Sequence, residues 1–258
     1  MIKKSFFNNQ RTVIAALLKG TSIEDYIRQC REAEFAGADG IAAELCLLPQ
    51  EQRTEENFKR LMDEVRLPFM FCLYRNDQSF GKDDAARMDV LLTAARAGAE
   101  VIDVKGDLFD PSPRELTRNG DAIARQKEVI GQLHALGTKV IISSHMSCSL
   151  RAEEVLEHLQ EQASRGADMV KIVTGIHSEE DLLEAIKTTM LLNRELQVPF
   201  VHLGTGSHSR IHRYLGMQLG AAVEFAVASH TASPALFAQP TIASFKAVQE
   251  NLFWHINQ

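Results

Sequence analysis

The chain has 258 residues, of which 45% are apolar and 24% are charged, a composition typical of globular proteins and unlike that of disordered or fibrous ones. Its formal net charge is -6 and it holds no long run of lysine and arginine, which argues against a nucleic-acid-coating protein and favours a small-molecule partner. The four cysteines are far apart and no apolar run is long enough for a membrane span or a secretion signal, so we expect a cytoplasmic protein with reduced thiols.

Short apolar runs rich in β-branched residues alternate with longer amphipathic segments, the pattern of βα units around a parallel sheet. Several of the runs are almost continuously apolar, as expected of strands that helices cover on both faces. The eight predicted strands are Val13–Leu18, Gly40–Leu45, Phe69–Tyr74, Val101–Lys105, Lys139–Ser144, Met169–Thr174, Phe200–Gly204 and Val223–Ala228. Apolar spacings of three and four residues predict helices at Ser22–Phe35, Asp83–Ala97, Ala152–Arg165, Glu180–Leu196 and Thr241–Phe253.

These repeats predict one aldolase-like (β/α)8 TIM barrel, and no Ser/Pro-rich linker divides residues 1–258 into more than one domain. A Gly-Ala-acid triplet follows three of the predicted helices, at Gly37, Gly98 and Gly166, where glycine suits a left-handed helix stop. The alternative is a doubly wound open sheet. Its G-x-G-x-x-G turn is absent after the first strand, where Leu17–Thr21 holds a single glycine.

Active sites of such barrels lie at the carboxyl ends of the strands, so polar residues at those ends are the candidates. No histidine and carboxylate among them have the compact spacing of a metal site, so no metal is predicted unless ligands come from separate strands. The candidates are Glu44, Arg75, Asp103, Lys105, His145, Lys171, His202, Ser209, Arg210, Ser229 and His230.

Lys171 interrupts a predicted strand that is otherwise apolar. Burial disfavours the charged form of a lysine, and a neutral amine is the nucleophile that a Schiff base with a ketone requires. The iminium formed in this way acidifies the adjacent carbon, which divides one difficult proton removal into easier steps. The alternative is a structural ion pair of Lys171 with Glu44 or Asp103.

His145 follows the predicted strand that precedes Lys171. It is suited to move the proton, since the unperturbed pKa of histidine is about 6.5. The alternative is a buried structural histidine whose hydrogen bonds come from Ser143 and Ser144. Arg210, which comes after the seventh predicted strand, is expected to hold a substrate carboxylate by a bidentate contact.

Four segments carry the motifs of one enzyme family in the same order. Val140–His145 is similar to the family's strand that ends in its catalytic histidine, and Gly166–Ile172 is similar to the segment of its imine lysine. Leu203–Arg210 is similar to an M-G-x-x-G-x-x-S-R turn with a carboxylate-binding arginine, and Gly220–Phe225 is similar to a G-S-x-x-T-F strand. Together they resemble type I 3-dehydroquinate dehydratase, the Schiff-base enzyme that converts 3-dehydroquinate to 3-dehydroshikimate in aromatic amino acid biosynthesis.

The resemblance implies a carbon–oxygen lyase in which Lys171 forms the imine and His145 transfers protons. It implies that no cofactor is required, because the lysine itself is the electrophilic handle. It also implies a small anionic oxo-acid substrate as the partner, and a homodimer, since the related enzymes tend to form dimers. The substrate-binding residues that it implies are Arg210, Gln239, Arg75, Glu44, Ser233 and Phe225.

Several positions depart from the family's pattern, all of them at the expected substrate site. A glutamate and an arginine that contact substrate hydroxyls in the family align here with Ala42 and Glu44. The glutamate that partners the catalytic histidine aligns with Ser79, and the glutamate of an I-D-x-E strand aligns with Lys105. These changes alter recognition, so an imine-forming dehydratase or aldolase of another oxo acid is one alternative. A dehydroquinase-like ligand-binding module without turnover is the other.

Overall fold

The computed structural model of the chain describes residues 4–7, 11–77, 79–81, 83–230, 239–252 and 254–257. Its strands are β1 Val13–Leu18, β2 Gly40–Glu44, β3 Phe69–Cys72, β4 Val101–Lys105, β5 Lys139–His145, β6 Met169–Gly175, β7 Phe200–Thr205 and β8 Val223–Ala226. Its α-helices are α1 Ile23–Phe35, α2 Glu55–Asp63, α3 Asp84–Arg96, α4 Gly120–Ala135, α5 Ala152–Ser164, α6 Glu179–Glu195, α7 Ser209–Gly216 and α8 Ile242–Asn251. None of the helices in this part of the chain is long and apolar enough to cross a lipid bilayer.

The strands form one eight-stranded sheet in the order β7-β6-β5-β4-β3-β2-β1-β8, and all of the pairs are parallel. β1 pairs with both β2 and β8, so the first and last strands are neighbours. Between β8 and β7, the backbone nitrogen of Ala222 donates a 2.8 Å hydrogen bond to the carbonyl of Phe200. The sheet is therefore a nearly closed barrel. The predicted (β/α)8 architecture is confirmed, and the doubly wound alternative is wrong.

The predicted strands begin at the observed residues, and the differences lie at their carboxyl ends. β5, β6 and β7 reach His145, Gly175 and Thr205, beyond their predicted ends, whereas β2, β3 and β8 stop short of theirs. Helices α2, α4 and α7 complete the predicted (β/α)8 repeat, in addition to the five helices whose ranges were predicted. The predicted end of α8 at Phe253 lies outside the described residues.

Alternate residues of each strand point into the barrel and toward the helices, which produces two apolar layers. By this alternation Asp103 and Lys105 of β4 and Lys171 of β6 fall on the inner face, in line with Val101 and Met169. Phe6, from the N-terminal segment, packs against the same inner layer. The inner apolar side chains of the strands include Val13, Ala15, Ala42, Met70, Val101, Ile141, Met169, Val201 and Val223. The barrel interior is thus apolar toward the amino ends of the strands and charged toward their carboxyl ends.

Candidate active site

A cavity of about 410 Å³ opens at the carboxyl ends of the strands. Part of its lining is apolar and includes Met70, Val173 and Phe225, and the rest consists of polar and charged side chains from the strand ends and loops. An apolar pocket with a few convergent polar groups is typical of small-molecule sites. No three histidine, cysteine or carboxylate side chains of the described residues are grouped as ligands for a metal ion.

Lys171 lines this cavity from β6, and only 5% of the residue is exposed. Its Nζ lies 3.1 Å from Oδ2 of Asp103 and donates a 2.9 Å hydrogen bond to the hydroxyl of Tyr74. The same nitrogen stands 5.1 Å from the centre of the Phe225 ring. The ion pair with Asp103, expected as the alternative to a catalytic amine, is present, and the amine nevertheless borders open space. The amine of Lys171 is therefore ion-paired with Asp103 and still accessible to a ligand in the cavity.

Asp103 is the buried counter-ion of this amine. It accepts hydrogen bonds from the hydroxyl of Tyr74 at 2.7 Å and of Ser143 at 2.5 Å. Burial raises the pKa of Asp103, but the charges of Lys171 and His145 and the bond from Ser143 outweigh it, so the pKa is lowered overall. Asp103 is therefore an anion that can balance a positive charge on the Lys171 nitrogen.

His145 lies at the end of β5 and lines the same cavity. Its Nδ1 is 3.0 Å from Oε2 of Glu115, and its ring meets the Tyr74 ring edge-on with centres 5.1 Å apart. Burial lowers the pKa of His145 and Lys171 lowers it further, whereas the hydrogen bond with Glu115 opposes them. The net shift is downward, so the imidazole is neutral near neutral pH. With Nδ1 directed at a carboxylate, Nε2 is the nitrogen suited to accept a proton.

Glu115 is a site residue that the sequence did not reveal. The position aligned with the family's histidine partner is Ser79, whereas the carboxylate that contacts His145 comes from the loop 106–119, between β4 and α4. Burial raises the pKa of Glu115, but the hydrogen bond from His145 and the charge of Lys105 outweigh it and lower the pKa to about 2. The loop has no apolar periodicity, so no sequence signal distinguishes Glu115 from the acids around it.

The loop that carries Glu115 is anchored by buried polar contacts. Arg165, 2% exposed, donates hydrogen bonds to the carbonyls of Gly106 at 2.8 Å and Thr117 at 2.6 Å. The hydroxyl of Ser144 donates to the carbonyl of Glu115 at 2.7 Å. Glu115 itself has a φ of 49°, a left-handed conformation that non-glycine residues seldom adopt. These contacts define the position of the carboxylate beside His145.

Arg213 lines the cavity, whereas Arg210, the residue predicted to bind a substrate carboxylate, is not among the lining residues. The buried residues of α7 are Ser209, His212, Arg213 and Gly216, which follow the three- and four-residue spacing of one helix face. Arg210 lies off this face and is exposed. Arg213 donates hydrogen bonds to Oε1 of Gln239 at 2.9 Å and to the carbonyl of Gly204 at 3.1 Å. The sequence alone does not select this face, because the apolar residues of the helix lie outside its buried set.

Glu44 lines the cavity from the end of β2 and pairs with Lys19, which follows β1, at 2.9 Å. Ala42, on the same face of β2, also lines the cavity and contributes only a methyl group. The family resemblance implies an acid and a base two residues apart on one strand. Here an acid and a base form a pair from neighbouring elements, Glu44 from the end of β2 and Lys19 from the residue after β1. Lys19 was not predicted, although it directly follows the first predicted strand.

The remaining predicted residues differ in their surroundings. Arg75 lines the cavity, and its guanidinium is bound by Asp84 at 2.5 Å and Asp107 at 2.7 Å. Phe225 and Gln239 also line the cavity. Arg75 is therefore held by carboxylates of the protein. The predicted substrate residue Ser233 lies outside the described residues.

Comparison with known proteins gives a consistent result. A family model for type I 3-dehydroquinase matches residues 14–254. The 3-dehydroquinate dehydratase of Klebsiella pneumoniae subsp. pneumoniae is 25% identical over 262 residues, with 97% of each chain covered. The crystal structure of 3-dehydroquinate dehydratase from Geobacillus kaustophilus superposes with a TM-score of 0.79 at 20% identity, over 93% of this chain and 91% of that one. Type I 3-dehydroquinate dehydratase from Clostridium difficile, with covalently modified comenic acid, superposes with a TM-score of 0.78 at 21% identity, over 93% and 92%.

Proposed function

The chain belongs to the type I 3-dehydroquinase family, and we propose that it is a carbon–oxygen lyase that dehydrates 3-dehydroquinate through an imine on Lys171. The observation that carries the proposal is the position of Lys171: a buried amine at the edge of a cavity that His145 also lines. Tyr74 contacts both residues, by a hydrogen bond to the amine and by ring packing against the imidazole. A nucleophile and a general base in one pocket are the two groups that imine-based dehydration needs.

Imine formation is the first part of the proposed reaction. The nitrogen of Lys171 bonds to the ketone carbon, and the ketone oxygen leaves as water with one proton from the amine and one from an acid. The product is an iminium cation. Asp103, the buried anion beside that nitrogen, stabilises the cation.

Proton transfer by His145 is the second part. Its Nε2 removes a proton from the carbon next to the iminium, whose positive charge accepts the electron pair and forms an enamine. The enamine then expels the hydroxyl of the following carbon, which leaves as water with the proton that His145 had taken. Water hydrolyses the resulting iminium and releases the product and the Lys171 amine.

Arg213 is proposed to hold the substrate carboxylate. The other lysines and arginines of the cavity have carboxylate partners, in the pairs Lys19–Glu44, Arg75–Asp84, Lys105–Glu115 and Lys171–Asp103. Within the described residues, Arg213 has no carboxylate oxygen within 4.0 Å. Glu224, the nearby carboxyl group, is buried, and burial raises its pKa well above the usual range, which favours its neutral form. Arg213 therefore offers its charge to an anionic ligand.

Replacing Arg213 by alanine is expected to raise KM for 3-dehydroquinate about 100-fold, because a charge-assisted bidentate contact is lost. The matched control is Arg210→Ala, which removes the same side chain from an exposed position three residues earlier. Steady-state kinetics of both variants, with thermal denaturation to verify folding, check the assignment. A larger rise in KM for Arg210→Ala than for Arg213→Ala would contradict it.

Glu44 and Lys19 are proposed to bind the substrate hydroxyl groups, with the carboxylate accepting and the ammonium donating hydrogen bonds. Replacing Glu44 by glutamine is expected to raise KM about tenfold with a smaller change in kcat, because one charged acceptor is lost. Glu32→Gln is the matched control, since Glu32 is an exposed carboxylate in an ion pair with Arg28. Equal KM values for the two variants would argue against this role of Glu44.

The proposed function is tested by incubating the protein with 3-dehydroquinate, with and without borohydride. We expect dehydroshikimate absorbance without borohydride, and with it a mass increase on Lys171 from the reduced imine. An adduct without product would favour an imine-forming enzyme of another oxo acid, to be identified with a panel of keto acids. Ligand binding without adduct or product would favour a binding module, and either result would overturn 3-dehydroquinate dehydration.

A further inference from the structure

A second buried lysine, Lys105, lines the cavity and has no step in the proposed reaction. Its Nζ contacts Oε2 of Glu115 and lies 3.4 Å from Nδ1 of His145. The same nitrogen is 5.5 Å from the centre of the Tyr74 ring, which packs against His145 from another side. Lys105 is therefore in contact with the proton-transfer residue and with its carboxylate partner.

One carboxylate oxygen is the centre of this cluster. Oε2 of Glu115 accepts hydrogen bonds from the backbone nitrogen of His145 at 2.6 Å and from Nδ1 at 3.0 Å, and it also contacts the ammonium of Lys105. A carboxylate beside a histidine favours the imidazolium, which cannot accept a proton. A lysine that contacts the same oxygen compensates the negative charge of the carboxylate. The carboxylate therefore still orients the ring but stabilises the imidazolium less than it would without the lysine.

We propose that Lys105 is a positioning residue that acts through Glu115 and keeps His145 a neutral base with its ring orientation unchanged. The inference rests on the proposed function, in which Nε2 of His145 takes the substrate proton. It gives a role to a lysine at the position where the family resemblance implies a glutamate. The loop 106–119 makes the role feasible, because it brings Glu115 back to the end of β4, where Lys105 lies.

The expected pH dependence follows from the titratable groups that face His145 within the described part of the chain. They are Tyr74 after β3, Asp103 and Lys105 on β4, Glu115 in the loop 106–119 and Lys171 on β6. Lys171 and Lys105 lower the pKa of His145, and Glu115 raises it. Loss of the Lys105 charge therefore raises the pKa of His145, and the protonated, inactive ring persists to higher pH. The acid limb of the pH profile of kcat/KM moves upward as a result.

The test compares Lys105→Met, which removes the charge at similar length, with Lys105→Arg, which retains it. We expect the acid limb of kcat/KM to move up by about one pH unit in Lys105→Met and to stay in place in Lys105→Arg. In a Glu115→Gln background the Lys105→Met shift should fall below half that size, because the carboxylate through which the lysine acts is absent. If Lys105→Met does not fold, Lys105→Gln is titrated with the same expectation.

A second readout does not depend on turnover. NMR titration of labelled histidine, with the His145 signal assigned from His145→Gln, should show the same upward shift of the His145 pKa in Lys105→Met. An unchanged titration, or an equal shift in the presence and absence of Glu115, would overturn the inference. Borohydride trapping on the wild-type protein distinguishes failure of this inference from failure of the proposed function. If the wild type forms both adduct and product but the His145 pKa is unchanged in Lys105→Met, only the role of Lys105 is disproved.

Discussion

Replacing Lys171 by alanine is expected to reduce kcat at least about a thousandfold and to abolish the borohydride-trapped adduct. We expect no other amine of the described residues to replace it, because the imine nitrogen has to lie beside Asp103, which balances the iminium charge. Steady-state kinetics measure the loss of kcat, and intact-protein mass spectrometry after borohydride treatment measures the loss of the adduct. Turnover comparable to wild type in this variant would exclude Lys171 as the nucleophile.

The loss of Lys171 also affects the fold, and controls have to separate the two effects. Removing one partner of a buried ion pair costs about 3 to 5 kcal/mol, because the Asp103 carboxylate is left without its cation. The double variant Lys171→Ala/Asp103→Asn is expected to recover part of that stability without recovering activity. Lys187→Ala, at an exposed lysine of α6, should leave both stability and activity near the wild-type values.

Replacing His145 by alanine is expected to reduce kcat by about a hundredfold to ten thousandfold while leaving imine formation possible. The amine of Lys171 still reaches the substrate ketone, but the proton on the adjacent carbon has lost its base. Borohydride trapping should therefore yield an adduct with the unreacted substrate on Lys171 in the variant.

The control for this variant is His134→Ala, since His134 is an exposed histidine of α4 paired with Asp168. It should show wild-type kinetics. If His145→Ala lost adduct formation as severely as Lys171→Ala, His145 would be needed to form the imine and its assignment to the later proton transfer would be incorrect. Wild-type kcat in His145→Ala would remove it from the mechanism altogether.

Two kinds of side chain that the family resemblance implies at particular positions lie here on other elements. The carboxylate beside the histidine is absent at Ser79, and Glu115 supplies it from the loop 106–119. The acid and base near the second strand are Glu44, at the end of β2, and Lys19, directly after β1. At the mouth of a barrel, a side chain of a given type can reach the same place from different elements, because many loops and strand ends converge on one small volume.

Arg210 illustrates a different limit of sequence analysis. The S-R motif selects it, yet the exposed face of α7 carries it away from the cavity, and Arg213 on the buried face takes the position beside Gln239. Arg213 lies three residues later and follows His212, so the motif itself does not select it. The helical phase of the buried residues decides between them, and that phase depends on which face of α7 packs against the barrel.

The sequence by itself determined the barrel, the starts of its strands and the candidates Lys171 and His145, because these follow from apolar periodicity and from a charge inside a buried strand, which are local properties. Only the tertiary structure decided that Lys171 pairs with Asp103 and still borders a cavity, that Glu115 and Lys105 meet at His145, and that Arg213 faces the site. These contacts join residues far apart in the chain. They form only when the loops and strand ends fold over the barrel mouth and bring these side chains close together. No periodic pattern in the sequence encodes which side chains will meet there.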